Sequence, residues 1–120
     1  MERRACPRVE VSQPVLYISD IYPSPKAAST VDLSLGGTRI ETLYSLIQGE
    51  RLQVSIAIRP EVIKCKGEVV HTQWPDGERP KAGVRFEEMS EGDKVYLRQY
   101  LFHVMEQQAR ESLSTDKTPH

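Results

Sequence analysis

The feature that most limits the fold of this chain is a change of period in its apolar residues. Up to Met89 they recur at every second position, segment by segment. Val9 and Val11 take one side while Arg8, Glu10 and Ser12 take the other. Leu52, Val54, Ile56 and Ile58 alternate without a break in "RLQVSIAIRP", and Val84 and Phe86 share a side in "KAGVRFEEM". A period of two belongs to a strand with one buried face. After Ser90 the period lengthens. Leu97, Tyr100, Leu101, Val104 and Met105 recur at three- and four-residue intervals, the stripe of an amphipathic helix.

Turn-forming residues divide the alternating region. Pro14 interrupts the first strand, so the strand is bent there or lies at an edge, and "VLYI" resumes it. "SDIYPSPKAAS", with Pro23 and Pro25, reads as loop. In "TVDLSLGGTRIET", Gly36 and Gly37 mark a tight reversal between a short strand and one that starts at Thr38 and Ile40. "LYSLIQGE" reads as a loop or short helical turn ending at Gly49. "VIKCKGEVVHTQW" is a strand in which Gly67 marks a bulge or bend, and "PDGERP" is a turn. Ser90 offers a hydroxyl cap and Asp93 an acid for the first turn of the helix, which should end near Gln108 or Arg110. The expected fold class is all-β with a C-terminal α-helix. About six short strands form a small antiparallel barrel or sandwich, partly covered by the helix. The expected divisions are an arm over 1–8, the β-domain over 9–89, the helix over 90–110 and a fraying polar tail over 111–120.

Charge and composition exclude several classes. Sixteen basic residues face seventeen acidic ones, so no bulk charge is available for coating nucleic acid, although a local cationic pocket is still possible. Aromatic residues make up only 7%, which counts against the stacking groove of a single-strand binder without closing that reading. Cys6 and Cys65 form no disulfide framework, which points to a reducing compartment. No apolar run approaches the ~18 residues of a membrane span. The charged N-terminus has no hydrophobic stretch behind it, so it does not read as a secretory signal. A cytoplasmic protein is expected. Asp32, Ser34 and His71 are the residue types of a hydrolase triad, but no nucleophile-elbow sequence surrounds Ser34. Cys6, Cys65, His71, His103 and His120 lack the paired spacing of a metal site. Neither catalysis nor a metal is expected.

Two polar motifs remain. Arg4 and Arg8 are spaced R-x-x-x-R, with Arg3 adjoining. A guanidinium is a planar fork of five donors that grips phosphate at two points, grips the O6/N7 edge of guanine, or stacks on a base. Three forks on a flexible arm suit a ligand with both phosphate and purine; the plainer alternative is a solvated basic terminus. Asp32, Ser34 and Gly37 follow D-x-S-x-x-G. Asp and Ser fold back on nearby amides, and Gly admits positive torsions and leaves room for a ligand. Successive amides in such a turn can form a concave donor site, or the motif is simply a well-made β-turn. Trp74, the only tryptophan, ends a strand beside "PDG". There an exposed indole could stack on a base, or else cap the barrel core. Arg39 and Arg59 are further cationic candidates.

Taken together, "RACPR" (Arg4, Arg8) and "DLSLGG" (Asp32, Ser34, Gly37) resemble the RxxxR and D/N-x-S-x-x-G motifs of the PilZ domain family, in the same order. "AGVRFEEM" followed by a helix resembles that family's last barrel strand and C-terminal helix. The resemblance runs from about Arg3 to Gln108. It implies a six-stranded antiparallel PilZ-type β-barrel that binds the bacterial second messenger cyclic di-GMP. It assigns Arg4 and Arg8 to phosphate and guanine, and Asp32, Ser34, Gly36 and Gly37 to a turn that holds a base. Arg3, directly before the motif, resembles members that bind two stacked, intercalated ligand molecules per chain. On this reading the ligand orders the arm, and the signal passes to an unidentified downstream protein, with motility or biofilm regulation as outputs. Two other readings stay open: a PilZ-like adaptor that contacts proteins without a ligand, and a small-barrel single-stranded nucleic-acid binder.

Overall fold

The computed structural model of the chain describes residues 7–116, with side chains through residue 113. Arg3, Arg4 and Cys6 therefore lie outside the described residues. Among the described residues seven strands precede one helix: β1 (Val9–Glu10), β2 (Pro14–Ser19), β3 (Lys26–Leu33), β4 (Gly37–Thr42), β5 (Arg51–Ile58), β6 (Glu61–Gln73), β7 (Lys81–Met89) and α1 (Glu91–Asp116). All pairings are antiparallel. Neighbours run β3-β2-β5-β6-β7-β4, and β4 pairs back onto β3, which closes a ring of six. The outcome is thus the barrel and not the sandwich, and closure removes the unpaired edges that an open sheet would present.

β1 is a short addition to this ring. β1 and β2 share one edge of β3: Val9 pairs with Leu33 and Glu10 with Asp32, while Pro14–Tyr17 pair with Ser29–Lys26. Between them the chain steps aside at Val11–Gln13. Thr30 bridges the step. Its hydroxyl accepts from the Gln13 N–H at 2.9 Å and donates to the Val11 carbonyl. The bend expected at Pro14 therefore begins three residues earlier, at Val11.

Two boundaries differ from the sequence reading. β3 starts at Lys26, inside the stretch read as loop. Ala27, Ala28 and Ser29 carry no alternation to read, and they are extended because β2 and β4 pair with this part of β3 on its two edges. The helix runs to Asp116, past Arg110. Nothing between Arg110 and Asp116 is a proline or glycine, and the first stop residue is Pro119.

The core follows the period argument. Leu52, Val54, Ile56 and Ile58 of β5 all point inside, with Ile40, Val69 and Val84 from other strands. Leu97, Leu101 and Val104 of α1 are buried against the barrel. Polar contacts fix the helix angle. The Tyr96 hydroxyl donates to the Ile58 carbonyl at 2.6 Å, and the Lys64 N–H donates to Asp93 Oδ2 at 3.0 Å. Gln108 Nε2 donates to the Glu10 carbonyl at 3.2 Å. Ser90 caps the helix by accepting the Asp93 N–H at 3.1 Å. Among the described residues no helix is long and apolar enough to cross a membrane.

Candidate functional site

A bulge delivers Asp32 to the outside of the barrel. Thr30 pairs with Ile40 and Asp32 with Arg39, which leaves Val31 as an extra residue. Ile40 is in the core, so Thr30 opposite it points in. Arg39 is the next residue along β4 and points out, and Asp32 with it. Strict alternation would have put Thr30 and Asp32 on the same inner face. Leu33 then returns to the interior, fully buried.

Although outward, Asp32 is only 5% exposed, because cationic groups cover it. Arg8 Nη1 lies 3.6 Å from Oδ2, and Arg39 Nε lies 3.5 Å from the same oxygen. The Arg39 backbone N–H donates to Oδ1 at 3.2 Å. Among the described residues Arg39 Nε has no hydrogen-bond partner, so its tie to Asp32 is electrostatic. The Thr38 hydroxyl donates to the Asp32 carbonyl at 2.6 Å and fixes the backbone beneath the carboxylate.

The turn after Asp32 is closed by its own serine. The Ser34 N–H donates to the Gly37 carbonyl at 2.9 Å. Ser34 Oγ accepts from the Gly36 and Gly37 N–H groups, each at 3.2 Å. The Phe86 N–H donates to the Gly36 carbonyl at 2.9 Å and ties the turn to β7. Two expectations change here. The Gly36 and Gly37 amides do not form an open donor site; they converge on the Ser34 hydroxyl, the acceptor the turn itself supplies. Nor does Gly37 use a positive φ, which among the described residues occurs at Gly49 and Gly77. Gly37 is needed for close approach: a Cβ there would lie 2.3 Å from the Val84 carbonyl oxygen.

Of the expected site residues, the structure brings together Arg8, Asp32, Ser34, Gly36 and Gly37. It does not bring Trp74 to them. Gln73 pairs with Lys81 and Lys81 with Glu41, whereas the turn sits at Gly37, at the other end of β4. Gly37 and Glu41 are separated by four strand steps, about 13 Å at ~3.3 Å per residue. Trp74 is 65% exposed, so it does not cap the core either. It lines a pocket with Tyr44, Leu46 and Pro80. The Asp32, Ser34 and His71 trio is not assembled as a triad, since the Ser34 hydroxyl is engaged within its own turn. Among the described residues no three His, Cys, Asp or Glu side chains are grouped to hold a metal ion. Arg39, flagged in the sequence by its charge alone, proves to be a direct partner of Asp32. Its outward face was readable two positions after Gly37, but its register against Asp32 was not.

The comparisons with known proteins agree with this build. The family model for the PilZ domain matches residues 2–103. The PilZ domain of YcgR from Escherichia coli, solved with c-di-GMP, is similar with a TM-score of 0.74 and 21% identity, over 98% of this chain and 100% of that one. The Bacillus subtilis inhibitor of motility, MotI/DgrA, is similar with a TM-score of 0.77 and 21% identity, over 88% of this chain. This chain spans about half of that protein, 52% of its length. MrkH of K. pneumonia, solved in complex with c-di-GMP, is similar with a TM-score of 0.68 and 16% identity, over 92% of this chain and 56% of that one. Identities this low establish a shared fold. A comparison with curated protein sequences finds no match. The family match runs from residue 2 through every strand and into α1, so the chain belongs to the PilZ domain family.

Proposed function

We propose that this chain is a cyclic di-GMP receptor, a binding module and not a catalyst, whose ligand lies between the N-terminal arm and the Asp32–Gly37 turn. The reading is carried by one contact. Arg8, the second arginine of R-x-x-x-R, meets Asp32, the first residue of D-x-S-x-x-G, so the two motifs share one surface. The chemistry fits the ligand. A carboxylate accepts from guanine N1–H and N2–H₂, and a guanidinium grips phosphate at two points. Ser34, Gly36 and Gly37 hold the turn that presents Asp32.

Asp32 is covered, so a base reaches it only when Arg8 moves aside. Arg8 then exchanges a carboxylate for a phosphate, joined by Arg4 and Arg3. The arm closes over the ligand at an ordering cost offset by charge-assisted hydrogen bonds. The new surface of arm, ligand and barrel rim is what a downstream protein would read. Arg3 directly before the motif favours two stacked ligand molecules per chain.

Calorimetric titration with cyclic di-GMP tests the reading and counts the molecules bound. Micromolar association with protection of amides 1–8 from exchange is expected. Absence of binding at that concentration would return the chain to the ligand-independent adaptor reading, and tighter binding of an oligonucleotide at physiological salt would favour the nucleic-acid reading.

A further inference from the structure

The strand pairings line up four residues across the outside of the barrel. Asp32 on β3 pairs with Arg39 on β4, Arg39 with Gly83 on β7, and Gly83 with His71 on β6. Ile40, Ala82 and Val84, which flank Arg39 and Gly83, are buried, so this row faces outward. A register shift between Val69 and His71 turns the histidine to this side, as the bulge at Val31 turns Asp32.

Gly83 has no side chain, and the His71 ring fills the space. A Cβ built on Gly83 would lie 2.6 Å from Cε1, 2.9 Å from Nε2 and 3.1 Å from Nδ1. Three such similar distances describe a ring lying flat over the glycine. An edge-on ring would hold both nitrogens well beyond the carbon. One face of the imidazole is therefore pressed to the sheet. The residue is nonetheless exposed, so the other face is open to solvent.

Resting on the receptor reading above, we propose that His71 is a further ligand-contact residue: its ring, seated on Gly83, is a shelf on which one base of the dinucleotide stacks. Asp32 and His71 stand three strand spacings apart, roughly 14 Å along the sheet at ~4.8 Å each. Arg39 lies between them. A ligand with two bases can present one edge to Asp32 and lay the other flat on His71, with its phosphates above the arginines. Stacking accepts any purine, so His71 adds affinity, while Asp32 reads the base edge.

The test is calorimetric titration of cyclic di-GMP into the full chain and into His71→Ala, His71→Phe and Gly83→Ala, with thermal melting of each to confirm folding. His71→Ala should weaken binding about 5- to 150-fold, the range of base–aromatic stacking. His71→Phe, which keeps a flat ring, should stay within about threefold of wild type. Gly83→Ala keeps the imidazole but pushes it off the sheet, and should also weaken binding. Wild-type affinity in His71→Ala would overturn the shelf, as would a Phe variant as weak as the Ala variant. So would full affinity in a folded Gly83→Ala protein. If the unmodified chain itself fails to bind, the receptor reading falls. If it binds and His71→Ala binds equally well, only the shelf does.

Discussion

Arg39 holds Asp32 at both carboxylate oxygens: its backbone N–H donates to Oδ1 at 3.2 Å, and its Nε lies 3.5 Å from Oδ2. Arg39 is part of β4 and does not depend on the arm. In the proposed binding mode Asp32 would therefore keep one anchored partner and a fixed orientation once Arg8 turned to a phosphate. This division of labour makes the roles of the two arginines separable by experiment.

Arg8→Ala should cost little stability, under about 1 kcal/mol, because its ion pair is half-exposed and screened by solvent. Its effect on cyclic di-GMP binding should be larger, a loss of about 1.5–3 kcal/mol, as for hydrogen bonds to charged groups. Urea denaturation and calorimetry read the two quantities. An Arg8→Ala protein that binds like wild type would remove the arm from the site.

Gly37→Ala places a methyl group 2.3 Å from the Val84 carbonyl oxygen, a backbone atom with no rotamer to change. Strands β4 and β7 must separate to admit it. A loss of about 1–3 kcal/mol is expected, the usual cost of overpacking. The urea midpoint should fall accordingly, and an unchanged midpoint would mean that the two strands are not in close contact at Gly37.

Thr30→Val keeps the shape of the side chain and removes its hydroxyl. The Gln13 N–H then loses its acceptor and the Val11 carbonyl its donor, where the chain steps from β1 to β2. Leaving such groups unpaired costs about 1–3 kcal/mol. Thr30→Ser, which retains the hydroxyl, should recover most of the loss in the same denaturation assay. Equal stability of the two variants would show that the bridge is dispensable.

Burial pushes the Cys65 thiol up to about 12 from an ordinary 9.0, with Asp93 adding to the effect. In a Cys6→Ser protein, a thiol reagent at pH 8 should react slowly with the native chain and promptly in denaturant. The sign of the stability effect follows. Above pH 9 the unfolded chain loses a proton that the folded chain keeps. This contribution is complete below pH 9 and falls away as pH rises toward 12. Fast native reactivity at pH 8 would show that the thiol is accessible.

The sequence by itself determined the elements. Alternation at Leu52, Val54, Ile56 and Ile58 forces a strand with a buried face, and the longer period from Leu97 to Met105 forces a helix packed on one side. Ser90 announced the helix start and Gly36–Gly37 the reversal, because caps and turns depend on side chains within a few residues. Tertiary structure decided which way the functional groups face. Read by alternation alone, Asp32 belongs inside with Thr30, and only the extra residue in the β3–β4 ladder turns it out toward Arg39 and Arg8. The closed ring likewise chose the partners: it put His71 over Gly83 and carried Trp74 to the far end of the barrel. A strand's period is local, but its register is set by pairing with segments distant in the chain, and a shift of one residue reverses every face beyond it.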